Sequence, residues 1–335
     1  MSAMKQVLVT GGCGFLGSTI VKQLVEQGIK VRVLALPTEP RSNLDGVSVE
    51  IVAGNVLSVE DVKAAVAGCD TVFHVAAIYK DYMPNPGPMY EVALRGTFNV
   101  LEASRRAGVA RVVYTASIVA LGRKGQDGRL ANEDIRYDAW DVDFHYSRSK
   151  HLSMLAARDF AAWGLDVRIV CPGVIFGPGD IGPTPSGQLI INMVSGKFGN
   201  AYSDGGSSYV DVRDAAAVHL LVAEKGKAGE TYVASAHNLD NLAFNGAIAR
   251  ATGVPMKKLL KIPTPVMRGI IELGNAIALR KGEAPLATRA FFDFSVVPAY
   301  FDNSKSVKQL GATYRPIEDS IRDAVADFRK RGLLT

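Results

Sequence analysis

VLVTGGCGFLGSTI, residues 7–20, is the stretch of sequence that decides the fold. A valine-rich run typical of a β-strand breaks into glycines, Gly11, Gly14 and Gly17, and then continues with apolar residues at helical spacing. Glycine allows positive φ and lets the backbone approach a bound group where a Cβ would collide. The helix that comes next adds unpaired N–H groups and a partial positive charge. The stretch therefore predicts a binding site for the pyrophosphate of a dinucleotide.

Strand-like and helix-like segments alternate through the first half of the chain. Valine-rich runs bounded by Gly, Asn or Asp predict strands at residues 6–10, 30–36, 47–54, 71–77 and 111–117. Helical periods lie between or after them, at residues 15–27, from residue 58, and at residues 89–107 and 144–163. This alternation predicts an α/β fold with a doubly wound parallel sheet and helices on both faces.

The regular alternation fades after residue 177. The segment GPGDIGPTPSG, residues 177–187, predicts a loop, and the last third mixes helical periods with turns. We therefore expect a dinucleotide-binding domain at residues 1–177, to which residues near 208–235 return. A smaller C-terminal substrate-binding lobe would then take up most of residues 178–335. With 335 residues, 48% of them hydrophobic, the chain is long enough to bury a large core.

Composition and charge argue against several classes of partner. The net charge of +5 is mild and the Lys and Arg residues are scattered, so we expect no nucleic-acid partner. Because no apolar run reaches the ~18 residues that span a bilayer, and the first residues show no secretory leader, we expect a cytoplasmic protein without membrane contact. Cys13, Cys69 and Cys171 show neither metal-binding nor disulfide spacing, so we expect no metal site.

The end of the second predicted strand bears on the choice of dinucleotide. NAD enzymes usually place an acidic residue there to bind the ribose hydroxyls, whereas this strand ends Leu34-Ala35-Leu36. Arg41, a few residues later, is placed to bind a 2′-phosphate, and the missing carboxylate removes a repulsion against it. We therefore expect NADP, with Leu36 and Arg41 among its binding residues. NAD stays the alternative, and Arg41 is equally compatible with a solvated loop position.

A second constellation lies in FHYSRSK, residues 144–150. Tyr146 and Lys150 are four residues apart on a predicted helix and therefore share one face. A free phenol titrates near pH ~10, and a nearby ammonium stabilises the phenolate and brings its pKa toward neutrality. Ser117 comes at the end of the fifth predicted strand, at the edge of the sheet where ligands bind. The three residues predict a catalytic set for acid–base chemistry, although Tyr-x-x-x-Lys alone also fits a surface helix.

Six motifs occur in a fixed order along the chain: TGGCGFLG (10–17), VFHVAA (72–77), YTAS (114–117), YSRSK (146–150), CPGVIFGPGD (171–180) and YVDVRDAA (209–216). By these motifs the chain resembles the extended short-chain dehydrogenase/reductase family, which is epimerase/dehydratase-like. It is closest in pattern to carbonyl reductases similar to dihydroflavonol reductase. The resemblance implies a Rossmann-type sheet, an NAD(P)-dependent oxidoreductase, and a homodimer paired through the helices at residues 89–107 and 144–163.

The resemblance also implies roles for individual residues. Ser117 and Tyr146 would hydrogen-bond the reacting oxygen, with Tyr146 as the proton donor or acceptor. Lys150 would bind the nicotinamide ribose and lower the pKa of Tyr146. The turn residues would be Gly11, Gly14, Phe15, Leu16 and Gly17. Asn55 and Val56 would contact the adenine edge, and Ala76, Ala77 and Ile78 the ribose side. Pro172, Gly173 and Val174 would line the nicotinamide.

The sequence departs from the family pattern at two positions. Ala93 stands where members commonly carry an Asn that holds a proton-relay water, which puts that relay in doubt. Asn55 replaces the usual Asp near the adenine and keeps a hydrogen-bonding side chain.

Two features of the sequence indicate the class of substrate. One is an arginine that the chain lacks, and the other is the apolar character of the residues next to its motifs. Enzymes of sugar nucleotides typically place an Arg just before the YVDVRDAA segment, whereas this chain has Ser207 and Ser208 there. The residues around Ile78, Tyr79 and Leu121 are apolar or aromatic. We therefore expect hydride transfer between the cofactor and a hydrophobic ketone, aldehyde or alcohol. The alternatives are a nucleotide-sugar epimerase or dehydratase using bound NAD, and a cofactor-sensing binding protein.

Overall fold

The computed structural model describes residues 4–125, 129–197, 201–254, 259–285 and 287–334. Its strands are β1 (Gln6–Thr10), β2 (Lys30–Ala35), β3 (Glu50–Ala53), β4 (Thr71–His74), β5 (Arg111–Thr115), β6 (Val167–Pro172), β7 (Val174–Phe176), β8 (Ala201–Tyr202), β9 (Gly206–Asp211), β10 (Thr231–Ala234), β11 (His237–Asp240) and β12 (Leu260–Lys261). Its α-helices are α1 (Phe15–Glu26), α2 (Val59–Val66), α3 (Gly87–Glu91), α4 (Thr97–Arg106), α5 (His145–Ala162), α6 (Pro185–Val194), α7 (Val212–Lys225), α8 (Asn241–Thr252), α9 (Thr264–Arg280), α10 (Arg289–Ser295) and α11 (Ile317–Lys330).

The main sheet has the order β10-β6-β5-β4-β1-β2-β3, and every neighbouring pair of its strands is parallel. The chain first moves outward from β1 to β2 and β3, and then crosses back to β4 and moves outward on the other side. This is the doubly wound, Rossmann-type order that places a ligand crevice where the direction reverses. The predicted fold class is confirmed.

The central strands are buried on both faces, which explains their valine-rich sequences. Val7 and Val9 of β1 point to one face and pack with Ile20 of α1 and with α7. Leu8 points to the other face and belongs to the core formed by α2, α4 and α5, which includes Met154. Because helices cover both faces, the strand ends and their loops provide the accessible surface of the sheet.

A smaller sheet, in the order β11-β9-β7, lies beside the main one. Together with α6, α8 and α11 it encloses a separate core in which the rings of Phe176, Tyr209 and Phe244 stack at 4.5 to 5.3 Å. Between β9 and β11 the chain returns to the main sheet, because α7 packs against α1 and β10 pairs with β6. The domain boundaries proposed from the sequence stay a prediction.

Two local features differ from the sequence expectations. The segment at residues 177–187 is not a loop throughout, because α6 begins at Pro185, and the Thr184 side chain accepts a hydrogen bond from Gly187 N at 3.2 Å. The helix expected at residues 89–107 is divided into α3 and α4 by a π-helical turn at Val92–Gly96. Such wide turns are frequent at functional sites, and this one brings Val92 to the ligand crevice.

Candidate active site

A cleft of about 410 Å³ opens at the carboxyl ends of the main-sheet strands. It lies where the strand order reverses between β1 and β4. The helices that come after these two strands cover opposite faces of the sheet, so their connecting loops separate and leave room for a ligand. Residues at the ends of β1, β2, β4, β5 and β6 form its walls.

The glycine turn forms one end of the cleft. Gly11 has a φ of +68°, and a Cβ there would lie 2.8 Å from Ala76 Cα. A Cβ on Gly17 would lie 2.1 Å from the Gly11 carbonyl oxygen, so α1 can pack this closely only without a side chain at that position. Gly14 precedes α1 with no side-chain cap from the described residues, which leaves the N–H groups of the first turn for a ligand. This cradle fits the pyrophosphate of a dinucleotide.

The structure brings the proposed cofactor residues together, with one exception. Those that line the cleft are Gly11, Gly14, Phe15, Leu16, Gly17, Leu36, Asn55, Val56, Ala76, Ala77, Ile78, Tyr146, Lys150, Pro172, Gly173 and Val174. Arg41 is exposed and lies outside this lining. Its role at the cofactor stays a prediction.

An acidic side chain that the sequence motifs did not mark lies near the end of β2. Glu39 N donates to Leu36 O at 3.1 Å, and Leu36 N donates to the Glu39 carboxylate at 3.4 Å. This turn folds Glu39 back into the lining of the cleft. Burial raises the pKa of Glu39, while the hydrogen bond from Leu36 and the charge of Arg41 act against that rise. The structure therefore places a carboxylate in the cleft close to the end of β2, where the strand sequence Leu34-Ala35-Leu36 offered none, while Arg41 lies outside the lining.

Ser117, Tyr146 and Lys150 converge at the other end of the same cleft. Helix α5 carries Tyr146 and Lys150 on one face, and Ser117 lies two residues beyond the end of β5. Ser117 and Tyr146 both line the cleft, close enough that the Ser117 hydroxyl lowers the pKa of Tyr146. Lys150 is buried, and its Nζ donates to the carbonyl oxygen of Thr115 at 2.9 Å. The pattern seen in the sequence is thus a single spatial cluster.

The electrostatics of this cluster are set mainly by burial. Burial raises the pKa of Tyr146 above its ordinary value, and the hydrogen bond with Ser117 acts against that rise. Burial lowers the pKa of Lys150 to about 8. The resemblance implies that Lys150 lowers the pKa of Tyr146, and this effect stays a prediction.

The sequence of the whole site region matches a known protein family. Residues 7–235 match the NAD dependent epimerase/dehydratase family, and they include the glycine turn, Ser117, Tyr146 and Lys150. The chain belongs to this family. It is an NAD(P)-dependent enzyme of the extended short-chain dehydrogenase/reductase type that acts on small molecules, which confirms the resemblance drawn from the motifs.

The family members similar to this chain include reductases. The putative dihydroflavonol 4-reductase of Synechocystis sp. is 32% identical over 97% of this chain and 94% of its own length. Sterol demethylase protein B of Methylococcus capsulatus is 31% identical over 98% of this chain and 99% of its own. The crystal structure of gox2253 is 32% identical and superposes with a TM-score of 0.87, over 99% of this chain and 100% of that one.

Two buried histidines support the active site of this family member from below. His74 accepts or donates a hydrogen bond at each ring nitrogen, to the side chains of Thr10 at 2.8 Å and Thr97 at 3.0 Å. His219 bonds the Thr115 hydroxyl at 3.0 Å. Burial lowers the pKa of His74 to about 3 and that of His219 to about 4, so both rings stay neutral. His74 thus holds the end of β1, which leads into the glycine turn. His219 holds Thr115 at the end of β5, whose carbonyl oxygen binds Lys150.

The wall next to Tyr146 is mainly apolar, with hydroxyls contributed by Thr184 and Ser186. Tyr79 packs its ring 4.7 Å from that of Tyr146, and its hydroxyl lies 3.5 Å from Ser186 Oγ on α6. The side chains that complete this wall are Ile78, Val92, Val119 and Ile175. Leu121, named from the sequence as part of this region, is instead buried in the core below the sheet.

Asp81 is a second acidic residue that the motifs did not indicate. It lies in the loop after β4, and its Oδ1 is buried without a hydrogen-bond partner among the described residues. Burial raises the pKa of Asp81 to about 6. Burial is the main cause that raises the pKa of Tyr79 and of Tyr146, and the charge of Asp81 adds to the rise in both. Asp81 therefore acts electrostatically on the phenol of the candidate catalytic set.

Proposed function

We propose that this enzyme interconverts an apolar ketone or aldehyde and its alcohol, with NADP as the preferred cofactor. The observation that supports this most strongly is the meeting of Ser117, Tyr146 and Lys150 in the glycine-turn cleft, beside a wall of apolar side chains. The relatives named for the reduction of a dihydroflavonol and for a sterol favour the same function, because neither name refers to a sugar nucleotide.

The chain's own residues would supply the proton chemistry. When bound, the nicotinamide supplies or accepts the hydride. The hydroxyls of Ser117 and Tyr146 bind the reacting oxygen, and Tyr146 donates its proton to that oxygen in reduction and takes it back in oxidation. Lys150, held by the Thr115 carbonyl, keeps positive charge close to the phenol and favours its ionised form.

Each part of the cleft has a matching part of the dinucleotide. The glycine turn would hold the pyrophosphate through backbone N–H groups. Asn55 and Val56 would contact the adenine edge. Ala76, Ala77 and Ile78 would contact the ribose side, and Pro172, Gly173 and Val174 the nicotinamide.

In the region expected to bind a substrate diphosphate, the arginine of the YVDVRDAA segment is already engaged. Ser208 is buried and bonds Asn238 and the backbone N–H of Phe301. Arg213 is held by Asp211 at 2.8 Å and by Asp323 at 2.7 Å. Because a sugar nucleotide brings two phosphate charges that must be neutralised, these contacts favour the carbonyl substrate over the epimerase alternative.

A panel of carbonyl compounds tests the proposed function. With NADPH and the purified protein, we expect kcat/KM to rise with the apolar surface of the aldehyde or ketone, because the wall beside Tyr146 has little polarity. UDP-glucose and similar sugar nucleotides serve as the comparison set. Turnover of these alone, without net change in the nicotinamide, would replace the proposal by the epimerase alternative.

Arg41 and Glu39 are expected to set the cofactor preference in opposite directions. Arg41→Ala should weaken NADPH binding by roughly tenfold or more and NADH binding much less, because the 2′-phosphate loses a charged partner. Glu39→Gln should favour NADPH, because it removes a negative charge beside the same phosphate. Fluorescence titration with both dinucleotides measures these effects. Equal effects of Arg41→Ala on both would show that Arg41 does not bind the 2′-phosphate.

Asp81→Asn is expected to shift the high-pH limb of carbonyl reduction to lower pH. Removing the negative charge makes Tyr146 easier to ionise, so its pKa falls and the proton-donating phenol is lost at lower pH. The measurement is kcat/KM from about pH 7 to about pH 11, because the pKa of Tyr146 lies above its ordinary value. Asp45→Asn, at an exposed position, serves as the control. An unmoved limb, or one moved to higher pH, would contradict the role given to Asp81.

The assembly is proposed on the family resemblance, and the location on the composition of the sequence. A homodimer through α4 and α5 would cover Phe98 and Leu155, whose side chains are exposed on those helices. No helix in the described part of the chain is both long enough and apolar enough to cross a membrane. The cytoplasmic location stays a prediction.

A further inference from the structure

The turn that carries Ser117 is built around the serine itself. We call residues 117–120 the serine turn: Ser117 caps a short 3₁₀ helix, Ile118–Ala120, just beyond β5. The Ser117 Oγ accepts from Val119 N at 3.4 Å, and the Ser117 carbonyl oxygen accepts from Ala120 N at 3.0 Å. The bond to Oγ uses a lone pair and leaves the hydroxyl hydrogen for a reacting oxygen. The position of this hydroxyl is therefore tied to Val119 and Ala120.

Helix α5 binds the carbonyl oxygens of the same two residues. Ser147 Oγ donates to the Val119 carbonyl at 2.8 Å, and His151 Nδ1 lies 2.8 Å from the Ala120 carbonyl. A carbonyl oxygen only accepts, so Nδ1 carries the ring hydrogen of His151. Val119 and Ala120 thus hold Ser117 through their N–H groups and are themselves held by α5 through their carbonyl oxygens.

The two anchoring residues lie next to the candidate catalytic residues along α5. Ser147 comes directly after Tyr146, and His151 comes directly after Lys150. Each pair is four residues apart, so the helix presents two neighbouring stripes, one for each pair. Lys150 Nζ adds a third link to the same segment, at the carbonyl oxygen of Thr115. One helix therefore carries two members of the candidate set and also holds the segment that carries the third.

Tyr137 fixes both anchoring side chains. Its ring stacks on the His151 ring, with centroids 4.2 Å apart and planes 13° apart, and its hydroxyl lies 2.8 Å from Ser147 Oγ. Because the only hydrogen of the Ser147 hydroxyl goes to Val119, Tyr137 is the donor in this contact. All three side chains are buried, and burial lowers the pKa of His151, so its ring stays neutral at pH 7. Of these three described residues, not one lines the cleft.

We propose that Ser147 and His151 are positioning residues, which hold the serine turn so that the Ser117 hydroxyl meets the reacting oxygen. The inference rests on the proposed role of Ser117 in carbonyl reduction. Loss of either bond leaves a buried carbonyl oxygen without its partner and lets the serine turn shift. A displacement of about 1 Å at a reacting group can cost about 100-fold in rate, so the effect belongs in kcat.

Replacing His151 tests the bond to Ala120. His151→Phe keeps an aromatic ring against Tyr137 and removes the donor, so kcat for carbonyl reduction with NADPH should fall about 10 to 100-fold. NADPH affinity should stay within about twofold of the wild type, because the pyrophosphate turn is at the other end of the cleft. His151→Asn is the conservative variant: its amide nitrogen can take the place of Nδ1, so most of the kcat should return. Steady-state kinetics and a fluorescence titration on the same preparations measure both quantities.

A double-mutant cycle with Ser117→Ala separates positioning from a general structural role. Ser117→Ala should itself lower kcat, because the hydroxyl that binds the reacting oxygen is lost. Adding His151→Phe to Ser117→Ala should then lower kcat by no more than about twofold, since the group that His151 positions is absent. If His151 only supported the fold, the two effects on kcat would multiply.

Ser147→Ala is a second variant with a matched control. Ser147 and Ser104 are both fully buried serines whose Oγ donates to a backbone carbonyl, but Ser104 bonds Val100 within α4, at 2.7 Å. Ser147→Ala should lower kcat about tenfold, and Ser104→Ala should leave kcat unchanged. The free energy of unfolding, measured with urea, shows for every variant that the protein assayed is folded. Ser147→Ala keeps the inference testable if His151→Phe does not fold.

Three results would overturn the inference while leaving the proposed function intact. Folded His151→Phe and Ser147→Ala keep the kcat of the wild type although Ser117→Ala loses it, the effects of His151→Phe and Ser117→Ala multiply, or His151→Asn is as damaging as His151→Phe. A wild-type protein that reduces no carbonyl compound, or a Ser117→Ala variant with wild-type kcat, would instead reject the proposed function and this inference with it.

Discussion

Replacing Tyr146 with Phe is expected to lower kcat for carbonyl reduction by about 10² to 10⁴-fold while leaving dinucleotide affinity nearly unchanged. The substitution removes the proton donor but keeps the ring that packs against Tyr79. The glycine turn, at the other end of the cleft, keeps its contacts with the pyrophosphate. Steady-state kinetics and a fluorescence titration with NADPH on the same preparation separate the two effects.

Tyr79→Phe is the control for this prediction. Tyr79 lines the same cleft and loses its hydroxyl in the same way, but that hydroxyl lies against Ser186 on α6. We expect kcat to change by no more than a few-fold, since the lost contact is a single neutral hydrogen bond at 3.5 Å. If Tyr79→Phe were as damaging as Tyr146→Phe, or if Tyr146→Phe kept its activity, the assignment of the proton donor would be wrong.

Gly11→Ala is expected to weaken dinucleotide binding by roughly 100-fold, because a small displacement of the turn misplaces every N–H group that meets the pyrophosphate. The new Cβ would lie 2.8 Å from both Cα and N of Ala76, so the turn or the end of β4 must move. The positive φ of +68° adds a conformational cost of about 1 to 2 kcal/mol to folding.

Gly28→Ala separates the conformational cost from the loss of binding. Gly28 comes after the same helix with a φ of +75°, and a Cβ there would have no atom within 4 Å. Gly28→Ala should lose only the conformational cost in the free energy of unfolding, measured with urea, and Gly11→Ala this cost plus the strain of the displaced turn. Only Gly11→Ala should lose affinity for NADPH. Equal affinity in both variants would show that the turn does not hold the dinucleotide.

The parts of the site that can be predicted from the sequence are those fixed by regular structure. Tyr146 and Lys150 share a face because a helix repeats nearly every four residues, and Ser117 reaches them because parallel strands end at one edge of the sheet. The glycine turn is equally regular, since its spacing fits one strand-turn-helix geometry. These rules placed the proposed cofactor residues in one cleft, with Arg41 outside it.

The parts that the sequence did not indicate depend on loop geometry. Glu39 reaches the cleft through a turn that folds back on Leu36, so its position along the chain did not mark it. Asp81 comes close to Tyr146 through an irregular loop, and Val92 through a π-helical turn.

The central claim is that this enzyme transfers hydride in a net redox reaction with an apolar carbonyl compound. The most direct measurement is the stoichiometry of that reaction, with NADPH consumption followed by absorbance and the alcohol quantified by chromatography. We predict one alcohol formed for each NADPH oxidised, with turnover abolished by Tyr146→Phe. Tightly bound NAD, no net oxidation with any carbonyl compound, and epimerisation or dehydration of a sugar nucleotide would contradict the claim.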